Sequence, residues 1–340
     1  MKAIWMLVVS AMIGCDQGPE SARSLIARPS VDVTYERARA ALRASDVPQL
    51  VWGATPFVSN STSVAEQFQP MVDLVASRLG VPMTVRAGGS YQDIEAMLLA
   101  GDIDIAIMSP YAYVQAKAKQ PGIRVFGSPV SNGTESYGAY ILTREDAGIE
   151  TLADLRGRPF AFVGSRSTSG WLYPASRLLD DGIDPTKDIQ GTFYGSHSRV
   201  IAAIASGEVA AGATYDGALA AGRGSIDGAR DLRVLARTRR IPRDAYVVRA
   251  GFPEGAIAGL AAALVSVSNQ RAEGRAALAR LQDINGFVAT DDSAYKPVRE
   301  IEDVVQSLIG VGGGRLPQLN EPATEAPAGA DRPGFPAARE

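Results

Sequence analysis

Several loops of this sequence place hydroxyl, imidazole or carboxylate side chains where a strand-like segment gives way to a helix-like one. The richest is Ser167-Thr168-Ser169-Gly170. Hydroxyl residues at such a junction cap the helix, whose first backbone N–H groups have no partner within it. With the positive end of the helix dipole behind them, those N–H groups can bind a small anion. Simple capping is the alternative, and Pro174, which has no N–H, predicts a cap at Ser169 or Gly170.

The other loops of this kind include the one that holds the single histidine, His197, in Tyr194-Gly195-Ser196-His197-Ser198. A loop histidine at the carboxyl end of a strand can donate to an anion and can titrate near neutral pH. A surface histidine or a helix cap explains the pattern equally well. Further polar residues at such junctions are Tyr91, Ser109, Tyr111 and Asp216. Their agreement favours one shared binding site, because ligands of α/β folds bind beyond the carboxyl ends of the strands.

The composition excludes several classes of chemistry. The chain has 340 residues with one cysteine and one histidine, whereas a zinc site needs several such ligands, so we expect neither a metal nor a cofactor. A net charge of −3 with mixed signs lacks the basic surface of a nucleic-acid-binding protein. Neither a G-x-S-x-G elbow nor a G-x-x-x-x-G-K-[ST] phosphate loop occurs, and Asp102 and Asp104 are interpreted as a solvated strand edge. We therefore expect no enzymatic activity.

Alternating strand and helix patterns are expected to position these loops. The sequence pattern predicts helices over 64–79, 91–100, 170–181 and 199–206. It predicts strands over 50–54, 81–86, 103–108, 160–163, 189–194 and 209–214. This alternation predicts an α/β fold with parallel sheets covered by helices on both faces. The chain is also long enough for two globular units.

The two ends of the chain differ in character from the rest. Lys2 and the apolar residues 3–13 predict a signal peptide over 1–14, because the run is too short to span a bilayer. Met12-Ile13-Gly14-Cys15 resembles a bacterial lipobox with methionine in place of leucine. Cys15 then becomes the lipidated start of a tether over 15–47, with a short helix expected near Tyr35–Arg43, and an exported protein with an incidental cysteine is the alternative. The proline-rich residues 311–340 predict a disordered tail.

Taken together and in order, these loops resemble the phosphonate-, phosphite- and phosphate-binding proteins of ABC importers over about residues 50–305. The segments that carry the resemblance are Ser167-Thr168-Ser169-Gly170-Trp171-Leu172-Tyr173-Pro174, Gly195-Ser196-His197, 207–213 and Ile241-Pro242-Arg243-Asp244. The family implies a type II periplasmic-binding fold: two lobes, each a mostly parallel sheet flanked by helices, with the ligand in the hinge cleft. We expect one lobe from 48–136 plus 240–310 and the other from 137–239.

The resemblance also implies roles for individual residues. Hydroxyls and N–H groups of the serine-threonine loop (Ser167, Thr168 and Ser169) would hold the phosphorus oxygens. Family ligand-binding positions are matched by Tyr91, Tyr137, His197, Asp216 and Asp244, and we add Ser109 and Tyr111 from a loop that differs from several family versions. The carboxylates would favour a monoprotonated oxyanion or an aminoalkyl phosphonate. Many relatives have Pro-Asn where this chain has Ser165-Arg166, and Arg166 either adds positive charge near the anion or points to solvent.

The sequence therefore predicts a monomeric, lipid-anchored protein on the periplasmic or cell-surface side of the cytoplasmic membrane. It would capture a small phosphorus oxyanion and deliver it to the permease and ATPase of an ABC importer. One alternative is a lipid-anchored sensor of the same ligands that acts through a partner kinase. The other is a binding protein for a different small anion. No nucleic-acid partner is expected.

Overall fold

The computed structural model describes residues 31–55, 63–281 and 284–310. Its helices are α1 (Val31–Ala44), α2 (Val64–Leu79), α3 (Tyr91–Ala100), α4 (Pro110–Lys119), α5 (Tyr173–Asp180), α6 (His197–Ser206), α7 (Asp216–Ser225), α8 (Glu254–Val265), α9 (Ala272–Leu278) and α10 (Lys296–Gly310). Its strands are β1 (Leu50–Ala54), β2 (Met83–Ala87), β3 (Ile105–Met108), β4 (Arg124–Ser131), β5 (Ser136–Tyr137), β6 (Ala139–Arg144), β7 (Pro159–Phe162), β8 (Gln190–Phe193), β9 (Ala211–Tyr215), β10 (Leu232–Arg237), β11 (Ile241–Pro242), β12 (Ala245–Val248) and β13 (Ile284–Val288).

The first lobe is built on a six-stranded sheet with the order β13-β4-β12-β3-β1-β2. Trp52 on β1 is fully buried and packs edge-on against Phe126 and Tyr246, with ring centroids 6.4 and 6.0 Å apart. Helix α2 covers this core because its buried residues recur at helical spacing. Its start is fixed by a capping box, in which Ser63 and Glu66 bond each other's backbone N–H groups.

The second lobe is built on a five-stranded sheet with the order β10-β6-β9-β7-β8. One face carries a small apolar cluster that includes Val200, Ile204 and Leu232. On the other side, Phe162 packs against Trp171 and Phe193, with ring centroids 4.9 and 6.3 Å apart. Trp171 directly follows the serine-threonine loop, so this aromatic packing fixes the loop to the end of β7.

The chain crosses between the lobes twice, and the crossings determine the strand directions. Strand β5 on the way out pairs with β11 on the way back, Tyr137 opposite Ile241. Strand β12 re-enters the first lobe at the crossing and so runs antiparallel to β3 and β4; β6 likewise runs antiparallel to β9. The two-lobe α/β architecture is as predicted, but the prediction of mostly parallel sheets is wrong. Parallel pairing is confined to β1 with β2 and β3, and to β7 with β8 and β9.

The folded part of the described chain begins earlier than the predicted tether allows. Helix α1 buries Tyr35, Ala38 and Leu42 in the first-lobe core, and Ala38 would meet a side chain placed at Gly259 of α8. Residues 31–44 are therefore a packed helix, not part of a tether over 15–47. The predicted signal peptide, Cys15 and the tail over 311–340 lie outside the described residues. Within the described ranges, no helix is both long and apolar enough to cross a membrane.

Candidate functional site

A cavity of about 440 Å³ is lined by residues of both lobes and of the crossing strands. Nine of the ten residues predicted to bind the ligand line it: Tyr91, Ser109, Tyr137, Ser167, Thr168, Ser169, His197, Asp216 and Asp244. Helices α3, α6 and α7 each begin at one of these residues, and α4 begins directly after another. The positive ends of four helix dipoles therefore meet at the cavity.

The serine-threonine loop starts a wide helical turn that leads into α5. Thr168–Leu172 forms a π-helix, and Ser167 caps it by accepting a hydrogen bond from Gly170 N at 3.0 Å. A Cβ at position 170 would lie 2.3 Å from the Val163 side chain, so glycine is needed for this close approach. No described residue accepts a hydrogen bond from the backbone N–H of Thr168 or Ser169. Both donors are available at the start of the helix.

The predicted cap at Ser169 or Gly170 is wrong, and Pro174 explains why. Pro174 cannot donate to the carbonyl of Gly170, four residues earlier. That carbonyl instead accepts a hydrogen bond from Val163 N at 3.1 Å, which ties the turn to the end of β7. Because a π turn bonds residues five apart, the helix can begin two residues earlier than expected and still accommodate the proline.

Thr168 and Tyr111 connect the two lobes. The Thr168 hydroxyl accepts a hydrogen bond from Tyr111 N at 2.8 Å and keeps its own proton as a donor. The Tyr111 side chain does not line the cavity. It is buried beside Gln306 and Glu302 of α10, and this burial raises the pKa of Tyr111 to about 12. Tyr111 therefore contributes its backbone N–H beside the cavity, and a contact of its side chain with the ligand stays a prediction.

His197 is buried at the first position of α6, which Ser196 caps. Its Nδ1 lies 2.9 Å from Thr214 Oγ1, and its ring packs edge-on against Tyr215 with centroids 4.8 Å apart. Burial lowers the pKa of His197 to about 3, because the charged imidazolium would lose its hydration. The expectation that it titrates near neutral pH is therefore wrong, and the neutral ring can present an N–H donor at Nε2.

Two tyrosines supply further uncharged donors. The Tyr137 hydroxyl is hydrogen-bonded to Ser169, and burial raises its pKa well above the usual range. Burial raises the pKa of Tyr91 in the same way, with the nearby charge of Asp244 adding to the effect. Both phenols therefore stay protonated at physiological pH. Together with His197 and the serine-threonine loop, they surround the anion position with neutral hydrogen-bond donors.

The two carboxylates are not equivalent. Asp216 accepts hydrogen bonds from Gly138 N at 3.0 Å and Gly217 N at 2.9 Å, which joins the start of α7 to the crossing strand. Burial raises the pKa of Asp244 to about 7, and Arg243 opposes this rise. Asp244 is therefore divided between its neutral and charged forms near neutral pH, where its protonated form can donate to a bound oxyanion.

Arg166 does neither of the two things that the sequence left open. Its Nε lies 2.8 Å from Glu95 Oε2, so it forms an ion pair between the lobes with a buried carboxylate. Lys119 of the first lobe binds the other oxygen of Glu95. Two more bonds join the lobes here: Gln92 to Ser165 at 2.9 Å, and the Ser109 hydroxyl to the Arg166 carbonyl at 2.7 Å. These contacts hold the lobes together beside the cavity.

Sequence reasoning missed the arginines of the cavity. Arg240 and Arg243 flank β11 and line the cavity, and so does Arg280 from beyond α9. The signal was present, since Arg243 directly precedes the predicted Asp244. The side to which the Arg243 side chain points could not be deduced, because a two-residue strand such as β11 gives no pattern of alternating side chains. Within the described ranges, no group of three or more His, Cys, Asp or Glu residues is arranged to hold a metal ion.

Two lobes joined by two crossings, with hydrogen-bond donors of several helix starts converging between them, define the class of solute-binding proteins. Comparison with known families narrows the class. The chain belongs to the periplasmic substrate-binding proteins of ABC transporters for phosphonate, since that family's model matches residues 53–295. The family resemblance inferred from the loops is thereby confirmed. Proteins of this family are the substrate-binding components of transporters.

Individual relatives are distant. A phosphate-import protein, PhnD, of Mycolicibacterium smegmatis is 27% identical over 183 residues, which are 51% of this chain and 57% of that protein. A tetrathionate sensor histidine kinase, TtrS, of Salmonella typhimurium is 28% identical over 141 residues, 39% of this chain and 23% of that protein. The chain thus spans little more than half of the first relative's length and less than a quarter of the second's.

Solved structures share the fold at lower identity. One is the binding protein component of an ABC phosphonate transporter from Pseudomonas aeruginosa, with a TM-score of 0.68 and 22% identity over 76% of this chain and 87% of that one. Another is PhnD1 from Prochlorococcus marinus in complex with methylphosphonate, with a TM-score of 0.68 and 19% identity over 76% of this chain and 98% of that one. Both likenesses confirm the two-lobe fold.

Proposed function

We propose that the chain captures a small phosphorus oxyanion (a phosphonate, phosphite or phosphate) outside the cytoplasm and delivers it to the permease and ATPase of an ABC importer. The serine-threonine loop is the observation that carries this proposal. Its Thr168 and Ser169 N–H groups and three hydroxyls meet at a helix start that lines the cavity. A tetrahedral oxyanion has several oxygens that accept hydrogen bonds, and the N–H and hydroxyl groups of this loop can donate to one or more of those oxygens.

The surrounding groups support an oxyanion held mainly by hydrogen bonds. His197, Tyr91 and Tyr137 are neutral at physiological pH for the reasons given above. Pure electrostatic attraction is weak in water, about 1 kcal/mol at 4 Å. Enclosure between the lobes strengthens each hydrogen bond by excluding water, and the helix dipoles add partial positive charge. The proposed roles of these residues follow from that chemistry.

The ligand class can be tested by calorimetry on the purified protein with phosphate, phosphite, methylphosphonate and 2-aminoethylphosphonate. We expect at least one of them to bind with one-to-one stoichiometry and more tightly than sulfate above pH 7, because the bound oxyanion and Asp244 must share one proton, which a phosphorus oxyanion can bring and sulfate cannot. Acetate serves as the control for a planar anion. Sulfate or acetate binding as tightly as every phosphorus ligand would refute the proposed ligand class.

Ligand binding near neutral pH should be accompanied by proton uptake at Asp244. A fully ionised oxyanion repels the charged carboxylate and raises the pKa of Asp244 further above the value of about 7 in the empty protein, so the bound pair holds one proton on either the carboxyl or the ligand. Above that pH, binding must draw in a proton, and affinity for a given ligand should fall as the pH rises. Calorimetry in buffers with different ionisation enthalpies measures the uptake.

The variant Asp244→Asn separates this effect from titration of the ligand itself. It keeps the shape of the side chain but cannot titrate, so its proton uptake with the same ligand should be smaller than that of the unmodified protein. Asp216→Asn serves as the matched variant, and it should leave the uptake largely unchanged. Equal uptake in the unmodified protein and in Asp244→Asn would show that the ligand alone titrates.

Membrane attachment through Cys15 remains part of the proposal, together with a monomeric state. The support for it is the lipobox-like Met12-Ile13-Gly14-Cys15. In Cys15→Ser, we expect the protein to move from the membrane fraction to the soluble fraction of cells. Persistence of that variant in the membrane fraction would count against lipidation.

A sensor of the same ligand class is the second candidate, and the likeness to part of a sensor histidine kinase favours it. Uptake of the ligand by cells from which the chain has been deleted distinguishes the two roles. A transport component predicts that uptake falls. Unchanged uptake, with loss of a transcriptional response to the ligand, would support the sensor.

A further inference from the structure

The cavity is larger than a phosphorus oxyanion alone requires. Its volume of about 440 Å³ matches the liquid volume of roughly 15 water molecules, whereas an oxyanion such as phosphate has five non-hydrogen atoms. The lining away from the serine-threonine loop includes Asn132, Thr134, Ser136 and the arginines Arg240 and Arg243. The composition of this second end therefore bears on the substituent that the phosphorus carries.

Two arginines are fixed at this end by the crossing strands. Arg243 donates from Nε to Thr134 O at 3.1 Å and from Nη2 to Ser131 O at 3.4 Å. Arg240 donates from Nε to Ser136 Oγ at 3.2 Å and from Nη2 to Ser136 O at 2.6 Å. Within the described residues neither arginine forms an ion pair, and Nη1 of each has no hydrogen-bond partner. Each guanidinium is thus oriented by neutral acceptors and keeps its charge and one nitrogen for another group.

Tyr137 relates these arginines to the anion position. Its hydroxyl bonds Ser169 at the serine-threonine loop, and the Arg243 guanidinium lies over the face of its ring, 5.7 Å from the centroid. Arg243 and the serine-threonine loop therefore both lie beside the Tyr137 side chain, one over its ring and the other at its hydroxyl. A ligand that reaches both must carry its second group on a short carbon chain.

The nearby carboxylates, Asp216 and Asp244, offset the charge of the two arginines only in part. Asp216 is bonded to two backbone N–H groups, and Asp244 is partly protonated near neutral pH because burial raises its pKa to about 7. Burial also lowers the pKa of Arg243, and the nearby Asp244 and Asp216 carboxylates oppose this shift without cancelling it. A desolvated cation without an ion-pair partner is stabilised by an anion that enters the cavity.

We propose that the arginine end, Arg240 and Arg243, binds a second anionic group of the ligand, so that the preferred substrates are phosphonates whose short alkyl chain ends in a carboxylate. The proposal rests on the proposed function, since the phosphonate group itself would occupy the serine-threonine loop. It distinguishes this chain from a binder of alkyl or aminoalkyl phosphonates, whose substituents are neutral or positively charged.

The test compares the affinities of three ligands of similar length by calorimetry: 3-phosphonopropionate, propylphosphonate and 2-aminoethylphosphonate. We expect 3-phosphonopropionate to bind at least about tenfold more tightly than propylphosphonate, the contribution of one hydrogen-bonded charge pair. Tighter binding of 2-aminoethylphosphonate than of 3-phosphonopropionate would overturn the proposal. So would equal affinities for all three ligands.

Charge-removing variants locate the effect. Arg243→Gln and Arg240→Gln should reduce the ratio of the affinity for 3-phosphonopropionate to the affinity for propylphosphonate. Arg239→Gln is the matched control, because Arg239 neighbours Arg240 but lines a different cavity beside Tyr173 and Arg177. A preference that survives in Arg243→Gln and Arg240→Gln, or that falls equally in Arg239→Gln, would refute the assignment.

The outcomes also separate this inference from the proposed function. If no phosphorus ligand binds, phosphate and phosphite included, the phosphorus oxyanion proposal itself fails. If phosphate or phosphite binds but neither phosphonate does, the assignment of the arginine end fails. If propylphosphonate binds well and 3-phosphonopropionate binds no better, only the assignment of the arginine end fails.

Discussion

Replacement of Ser167 and Ser169 together with alanine is expected to lower methylphosphonate affinity by at least about 100-fold, because each hydrogen bond to a charged group contributes about 1.5–3 kcal/mol. The Ser167 hydroxyl also accepts from Gly170 N, so its loss weakens the cap of the helical turn. That cap is worth about 1 kcal/mol, too little to unfold the lobe. Calorimetry gives the affinity, and thermal unfolding of the same samples gives the stability.

The matched control for this variant is Ser196→Ala. Ser196 caps α6 in the same lobe and accepts from Arg199 N at 3.3 Å, but it does not line the cavity. Both changes remove a cap, so both should lower the unfolding temperature, whereas only the double variant should lose the ligand. Unchanged methylphosphonate affinity in the double variant would remove the serine-threonine loop from the binding site.

The second large effect is expected from Arg166→Met, which removes the ion pair between the lobes. Breaking a hydrogen-bonded charge pair at this position should lower ligand affinity by about tenfold or more, mainly through faster dissociation. The reason is that Arg166 joins the lobes at Glu95 but does not line the cavity. Stopped-flow measurement of ligand release would give the dissociation rate.

Lys119→Met provides a close control. Lys119 pairs with the same buried carboxylate, Glu95, but from within the first lobe. Both variants leave Glu95 with one cation, so both should lose similar stability, while only Arg166→Met should accelerate ligand release. If the two variants release the ligand equally fast, the Glu95 contacts serve the stability of the first lobe and do not hold the lobes closed.

Local sequence signals predicted the site well because helix starts are encoded by short segments. Hydroxyl residues cap α4, α6 and the π turn that leads into α5, and all three bring their first turns to one cavity. The loop order then matched a known family, whose model covers residues 53–295. Spacing also gave α2 and α3 at their observed bounds, since each has a clear cap at its start and glycine at its end.

Features that depend on tertiary contacts could not be deduced. The antiparallel strands β6 and β12 follow from where the chain crosses between the lobes, which strand patterns do not encode. Helix α1 looked like part of a tether because its sequence is polar overall, although one face packs on α8. The neutral state of His197 comes from burial among residues distant in sequence. The partner of Arg166 could not be deduced either, because Glu95 lies 71 positions away in the sequence.

A crystal structure of the protein grown with methylphosphonate would show directly where the phosphorus oxyanion binds. We expect the phosphorus atom in the cavity between the lobes, with its oxygens at hydrogen-bond distance from the Thr168 and Ser169 N–H groups and from His197 Nε2. Methylphosphonate bound elsewhere in the cavity, with the serine-threonine loop still without a ligand, would contradict that expectation.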